Sequence, residues 1–424
     1  MREMKDSGVK WVGEIPSSWK VYKVKQIADS NNDVLPENYE EEQEIDYIEI
    51  GSVTYEHGVR TTEKMKFGNA PSRARRIVHN GDTIISTVRT YLKAIAYIDD
   101  SLADKIVSTG FSVVTPHKDV VAKFLYYALS THSFISNVEA HSVGISYPAI
   151  NNTNLMDLKI VLPMQREQIQ IASYLDAKCS KIDEIIEKQQ AIIEKLKEYK
   201  FSIITEAVTK GINPDVELKD STIDMCEQIP VHWSISQNRY VFSLRDEKNY
   251  KSLEEVRLLS LYTDLGVFPH GEQEERGNKA VKAEGYKVVY ENDIVVNIIL
   301  AWMGAIGRSA YDGVTSPAYD IYKPNENVCS RYYHYLYRTK PFSAECYKYG
   351  RGIMAMRWRT YSSEFKSIKV PVPPYIEQCQ IADYLDSKCE MLDKTIADRN
   401  KAIDKLQEYK KSLIYEVVTG KKEV

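Results

Sequence analysis

Hydrophobic positions follow two different rhythms along the chain. From Leu175 a stripe recurs every three or four residues through Lys178, Ile182, Ile185, Gln189, Ile192, Leu196, Tyr199 and Ile203, with charged residues outside it. A seam sustained for about four heptads predicts a long amphipathic helix. The rhythm returns at Leu385, Leu392, Arg399, Ala402, Leu406, Tyr409 and Leu413. Gln189 and Arg399 interrupt the stripes at equivalent places, either as polar residues that set register or as tolerated exposed sites. Pro163 and Pro373 stand where the helices should begin, and Gly211 and Gly420 where they should end. Each helix is then expected to run about 40 residues, or roughly 60 Å.

The second rhythm is short. "DYIEIGSV" at Asp46, "GDTIIST" at Gly81 and "DIVVNII" at Asp293 read as strands between turns. "AKFLYYALSTHSFI" at Ala122 and "SRYYHYLYRTKPF" at Ser330 read as helical stretches. Residues from about Trp19 to Lys159, and from Trp233 to Lys369, are therefore expected to form mixed α/β domains.

Both rhythms occur twice because the chain is duplicated. "EQIQIASYLDAKCSKID" from Glu167 returns as "EQCQIADYLDSKCEMLD" from Glu377, and the match runs in constant register from Pro163 against Pro373 to Glu206 against Glu416. More weakly, "KDSGVKWVGEIPSSW" at Lys5 is echoed by "KDSTIDMCEQIPVHW" at Lys219. The halves match at their ends and diverge in their middles. An apolar stripe of this length needs a partner, and the one of matching length is the other copy. The path of the chain requires the two to run antiparallel, with the variable domains at opposite ends of a rod related by a pseudo-two-fold axis. "MREMKDS" begins partway into the linker that the second half shows as "INPDVELKDS", so "TGKKEV" should finish near the N-terminus.

A length of 424 residues suits about three or four domains. The sequence has no apolar run near the roughly 18 to 20 residues that span a bilayer, and the start "MREMKDSGVKW" lacks the apolar segment of a secretory signal; a cytosolic protein is expected. The six cysteines form no C-x-x-C pair, which points to reduced thiols and away from zinc or a disulfide framework. A net charge of −4 argues against nonspecific coating of nucleic acid but allows local basic patches.

Two such patches occur. In the first variable region Arg60, Lys64, Lys66, Arg73, Arg75, Arg76, Arg89 and Lys93 stand among few acids. In the second, Lys348, Arg351, Arg357, Arg359 and Lys366 are interleaved with Tyr347, Tyr349, Trp358 and Tyr361. Basic residues with aromatics between them suit phosphate contact combined with base contact, although any one of them alone reads equally as a solvated charge. Catalytic signatures are lacking. "VPPY" at Val372 has valine where an amino-methyltransferase motif needs a polar residue, and the carboxylates of "PDVELK" at Pro214 are too close together for a nuclease metal site. Neither a phosphate-binding G-x-x-x-x-G-K-[ST] loop nor a G-x-S-x-G elbow is present.

The repeated P-x(3)-E-Q-x(2)-I-A-x-Y-L-D-x-K phrase after each divergent domain resembles the specificity subunit of type I restriction-modification systems. So do "AWMGAIG" at Ala301, "SPAYDIYKP" at Ser316 and "RWRTYSSEFKSIKVPVPP" at Arg357. The resemblance covers essentially the whole chain. It implies two mixed α/β target recognition domains, residues 1–160 and 213–370, joined by long helices in residues 161–212 and 371–424 that form an antiparallel two-helix coiled coil. Each domain would read one half of a bipartite DNA target, with no activity in this chain. Two methyltransferase subunits binding S-adenosylmethionine, and motor-nuclease subunits using ATP and Mg, would be its partners, and no cofactor would bind here. The expected DNA contacts are Lys64, Lys66, Arg73, Arg75, Arg76, Arg89, Lys93, Lys348, Arg351, Arg357, Trp358 and Arg359. The expected seam is Leu175, Ile182, Ile192, Leu196 and Ile203 against Leu385, Leu392, Leu406 and Leu413. A coiled-coil scaffold with two protein-binding end domains is the alternative.

Overall fold

The computed structural model describes residues 2–36, 38–263, 265–271, 282–352 and 358–424. It divides into two compact units, Met1–Gln189 with Asn400–Val424, and Gln190–Arg399.

In the first unit an antiparallel sheet runs in the order Ile95–Tyr97, Thr83–Ser86, Phe111–Pro116, Ala28–Ser30. Its strand Thr83–Ser86 is buried throughout, as the apolar pair Ile84 and Ile85 predicts. A second sheet has the order Glu63–Lys66, Glu44–Ile48, Ile106–Ser108, Ala74–Ile77, with its central pair parallel. Ile48, Val107, Ile84, Phe111 and Val113 from these strands share one core. Three helices follow, α1 (Ala122–Leu129), α2 (His132–Ala140) and α3 (Asn152–Met156). The apolar run at Ala122 breaks into two helices because Thr131 caps α2, its hydroxyl accepting from the Phe134 amide at 3.3 Å.

The second unit repeats this path. Phe242–Arg245, Tyr319–Pro324, Ile294–Asn297 and Ile306–Arg308 form the matching antiparallel sheet. Its helices after the long α4 (Gln165–Lys210) are α5 (Asn238–Val241), α6 (Ser330–Tyr337), α7 (Lys340–Tyr349), α8 (Ser362–Ser367) and α9 (Tyr375–Val418). The tyrosine-rich stretch of α6 is core. Tyr332 and Tyr333 meet edge to face at 4.9 Å, and the buried Tyr332 and Tyr337 hydroxyls donate to the Val208 carbonyl and to Asn238 Oδ1, both at 2.7 Å. Aromatic bodies fill the interior while their polar tips keep partners.

The long helices α4 and α9 run 46 and 44 residues, about 69 and 66 Å at 1.5 Å per residue. Both end as the glycines predict. Gly211 and Gly420 take positive φ of 79° and 74°, the left-handed turn that closes a helix. Near their starts, the buried Gln168 donates to the Pro163 carbonyl at 2.9 Å and accepts from the Val121 amide at 2.8 Å. Gln378 repeats this with the Pro373 carbonyl and the Cys329 amide at 2.8 and 2.9 Å. Tyr127 donates to Asp176 at 2.7 Å in the first unit, as Tyr335 does to Asp386 at 2.6 Å in the second. The repeated phrase thus docks each helix start on its own domain.

The helices pair antiparallel within each unit. In the second unit Lys200 reaches Asp393 at 2.7 Å while Gly211 lies beside Glu377. In the first, Lys410 reaches Asp183 at 2.7 Å, and Arg2 bridges Glu167 at 3.1 Å and Glu423 at 3.3 Å. The last contact brings the C-terminal segment to the N-terminal one, as expected.

The seam differs from the expected stripe at alternate positions. Ile192 is 36% exposed and Ile193 only 5%. Ile185, Tyr199, Ala402 and Tyr409 likewise face out, while Ile186 and Ile403 are buried and Lys200 and Lys410 are half-buried. The inward set is Leu175, Cys179, Ile182, Ile186, Gln189, Ile193, Leu196, Lys200 and Ile203, repeated 210 positions later in α9. Leu175, Leu385 and Leu413 are buried, and Leu196, Ile203, Leu392 and Leu406 half-buried. Two isoleucine pairs, Ile185-Ile186 and Ile192-Ile193, made the spacing ambiguous. In the phase the structure adopts, Lys200 and Lys410 lie half-buried along the seam while their ammonium groups reach Asp393 and Asp183 on the facing helix.

Candidate nucleic-acid interface

In both units the buried central strand delivers the chain to a short exposed turn, and a later segment ties onto that turn. In the second unit the turn is Ala301–Met303, after Asn297 Oδ1 has accepted from the Ile299 and Leu300 amides at 3.0 and 3.3 Å. The Thr360 amide donates to the Ile298 carbonyl at 2.8 Å. Beside this turn Trp358 stacks on Tyr347 at 4.8 Å and 20°, and Trp302 meets Tyr347 at 5.9 Å. Arg351 and Arg359 exchange two backbone bonds of 2.9 Å. Tyr347, Arg351, Trp358 and Arg359 are therefore brought together, with the exposed Met303 adjoining. Arg357 lies outside the described residues. Lys348 pairs with Asp224, whose hydrogen bond holds the ammonium pKa above its ordinary value, and Arg351 pairs with Glu364.

The basic residues of the first unit do not form one cluster. Lys64 and Lys66 lie on one edge strand of the second sheet, and Arg75 and Arg76 on the opposite edge, with Arg73 just before it. Two strands stand between those edges, so they are about 14 Å apart. Lys66 pairs with Glu42 at 2.5 Å, and Arg75 packs over the Phe67 ring at 4.9 Å. Arg76 is half-buried, and burial lowers its pKa. Arg89 and Lys93 are elsewhere, flanking the turn Thr90–Leu92 that corresponds to Ala301–Met303. Both adopt left-handed backbone, φ 50° and 55°, a strained state for residues with a side chain. Arg89 lies over the Tyr147 ring at 5.2 Å, and Lys93 is 3.9 Å from Glu139.

The sequence reading missed the apolar side of this surface. Tyr91 and Leu92 are exposed on the turn, as are Val143, Ile145 and Tyr147 on the neighbouring segment. The signal that marks the latter is "SVGISYP", apolar residues alternating inside Gly, Ser and Pro turn chemistry where no core element can use them.

In this architecture two α/β units share the order of one four-stranded antiparallel sheet, and each is seated on a long antiparallel helix pair. Residues 16–198 match the type I restriction modification DNA specificity domain. A Methanocaldococcus jannaschii chain assigned as the MjaX type I restriction enzyme specificity subunit is 25% identical over 436 residues, covering 97% of this chain and 95% of the relative. The MjaIX specificity subunit of the same organism is 27% identical over 194 residues, 44% and 43% of the two chains. A chain from a solved type I restriction-modification assembly superposes with a TM-score of 0.73 at 17% identity, covering 96% of this chain and 99% of that one. The HsdS subunit from Thermoanaerobacter tengcongensis gives 0.53 at 18% identity over 96% and 98%. In sequence and in fold the chain is similar to the specificity subunits of type I restriction-modification systems. The scaffold alternative is not favoured.

Proposed function

We propose that this chain is the sequence-reading, non-catalytic subunit of a type I restriction-modification complex, each unit reading one part of an asymmetric bipartite DNA target. The observation that carries this is the contrast between the two units. The order of their four-stranded antiparallel sheet and the docking of the helix starts match, whereas the turn surfaces carry different side chains, Arg89 and Lys93 with Tyr147 in one and Trp302, Tyr347, Arg351, Trp358 and Arg359 in the other. Exposed arginines beside aromatic rings suit phosphate and base contact. The repeated helix surfaces would dock two copies of one methyltransferase subunit, which supplies S-adenosylmethionine chemistry. Motor-nuclease subunits would supply ATP- and Mg-dependent cleavage. No helix among the described residues is long and apolar enough to cross a membrane, and a cytoplasmic place suits a chromosomal substrate. Mapping methylated bases in the host genome with and without this gene tests the reading. We expect a gene-dependent asymmetric motif interrupted by unspecified bases; a continuous palindrome would overturn it.

A further inference from the structure

We propose that the ribbon from His141 to Ala149 in the first unit is a wedge that enters a base step of duplex DNA, with Ile145 the inserted side chain and Arg89 and Lys93 on the flanking phosphates. The inference rests on the DNA-specificity reading and deepens it, because it assigns to one half-site a contact that deforms the duplex as well as reading it.

The ribbon is built, not loose. Val143 and Ala149 exchange backbone bonds of 2.8 and 3.0 Å, and Ala149 also bridges Val88. The Thr90 hydroxyl donates to Ser142 Oγ at 2.9 Å, and the Ile150 amide to the Thr87 carbonyl at 2.9 Å, so the stem is fastened to the turn that carries Arg89 and Lys93. Gly144 closes the tip at φ 116°, where an added Cβ would come within 3.1 Å of the Tyr147 carbonyl oxygen. A side chain there is strained twice over, so the tight tip requires glycine. Ordering on binding is already largely in place, which favours a specific contact.

The tip is apolar. Ile145 is 103% exposed, Val143 79% and Tyr147 67%. Single exposed apolar residues are ordinary, but these three alternate along one ribbon beside the exposed Tyr91 and Leu92, and together they make a patch. Charge selects the occupant. Between Thr87 and Ile98, and between Ala140 and Met156, the chain contains no Asp or Glu; Glu139, just before the ribbon, faces Lys93 at 3.9 Å, and the exposed Arg89 lies over the ribbon's Tyr147 ring. A polyanion is therefore attracted to the base of a narrow apolar projection. A two-stranded ribbon fits a DNA groove, and branched apolar side chains are the type that parts stacked base pairs.

The test uses the full chain assembled with its complex subunits and a duplex carrying the mapped target, with 2-aminopurine placed in turn at each position of the half-site read by the first unit. Wild type should brighten several-fold at one step. Ile145→Ser should lose that signal and bind about tenfold more weakly with an unchanged salt slope, since no phosphate contact is removed. Ile145→Leu should keep both properties, and Arg89→Ala should keep the signal while reducing the salt slope by about one. Any base extruded by a catalytic partner remains bright in Ile145→Ser and is distinguished that way. The wedge is overturned if no step in this half-site brightens, if Ile145→Ser behaves as wild type, or if that variant loses subunit assembly rather than DNA affinity. Failure to bind any duplex selectively would remove the DNA-specificity reading itself.

Discussion

Asp82 and Asp293 occupy the same place in the two units, immediately before the buried central strand, and each is 1% exposed. Both accept a backbone amide that closes the preceding turn, from His79 at 2.7 Å and from Tyr290 at 2.9 Å. Their second partners differ: Asp82 accepts from the Thr115 hydroxyl at 2.7 Å, Asp293 from Arg245 Nε at 2.8 Å. Removing Asp293 takes away both short guanidinium bonds, leaves Arg245 only the longer Glu247 contact at 3.7 Å and strands the Tyr290 amide, whereas removing Asp82 strands only a hydroxyl and an amide. Asp293→Ala should therefore cost about 3 kcal/mol and Asp82→Ala about 1 to 2 kcal/mol, read as shifts in urea unfolding. Composition reveals charge at this scale but not pairing. Lys66, Lys348 and Arg351 read as free cations in the sequence, yet carboxylates distant in the chain face each of them.

Between elements, the two seam lysines are the most informative contacts. Lys200 with Asp393 and Lys410 with Asp183 are the same pair displaced by the repeat, and each lysine binds both carboxylate oxygens at 2.7 Å. In the antiparallel register each lysine meets its acid. A parallel pairing of the two copies would face like residues with like. Lys200→Glu should destabilise the second unit by about 1 kcal/mol, and adding Asp393→Lys should restore most of it, measured as a double-mutant cycle in thermal unfolding. The heptad period was legible from Leu175 to Ile203, and so were both ends. The inward phase was not, because paired isoleucines satisfy either spacing and only the facing helix chooses between them.

For the whole molecule, α4 and α9 each continue without a break from one unit into the other. If these helices set the distance between the half-sites, inserting four residues into α4 after Gln190 adds about 6 Å. That approaches two base pairs at 3.4 Å each, less whatever the shifted heptad register absorbs. A complex assembled on this variant is expected to methylate a motif with a longer unspecified spacer and unchanged half-sites, seen by sequencing methylated DNA. Altered half-site bases with an unchanged spacer would show that the helices do not measure the distance.

The sequence by itself determined the duplication, both long helices with their glycine ends, and the α/β character of the middles. These depend on local periodicity and turn chemistry, which the chain carries in adjacent residues. Only the tertiary structure decided which basic residues remain together. It put Lys64 and Arg75 on opposite edges of one sheet, because strand order is a long-range choice that spacing along the chain does not record. It also exposed the ribbon at Ile145. An apolar residue in a turn looks the same in sequence whether a core covers it or not, and burial is settled only when every other element has found its place.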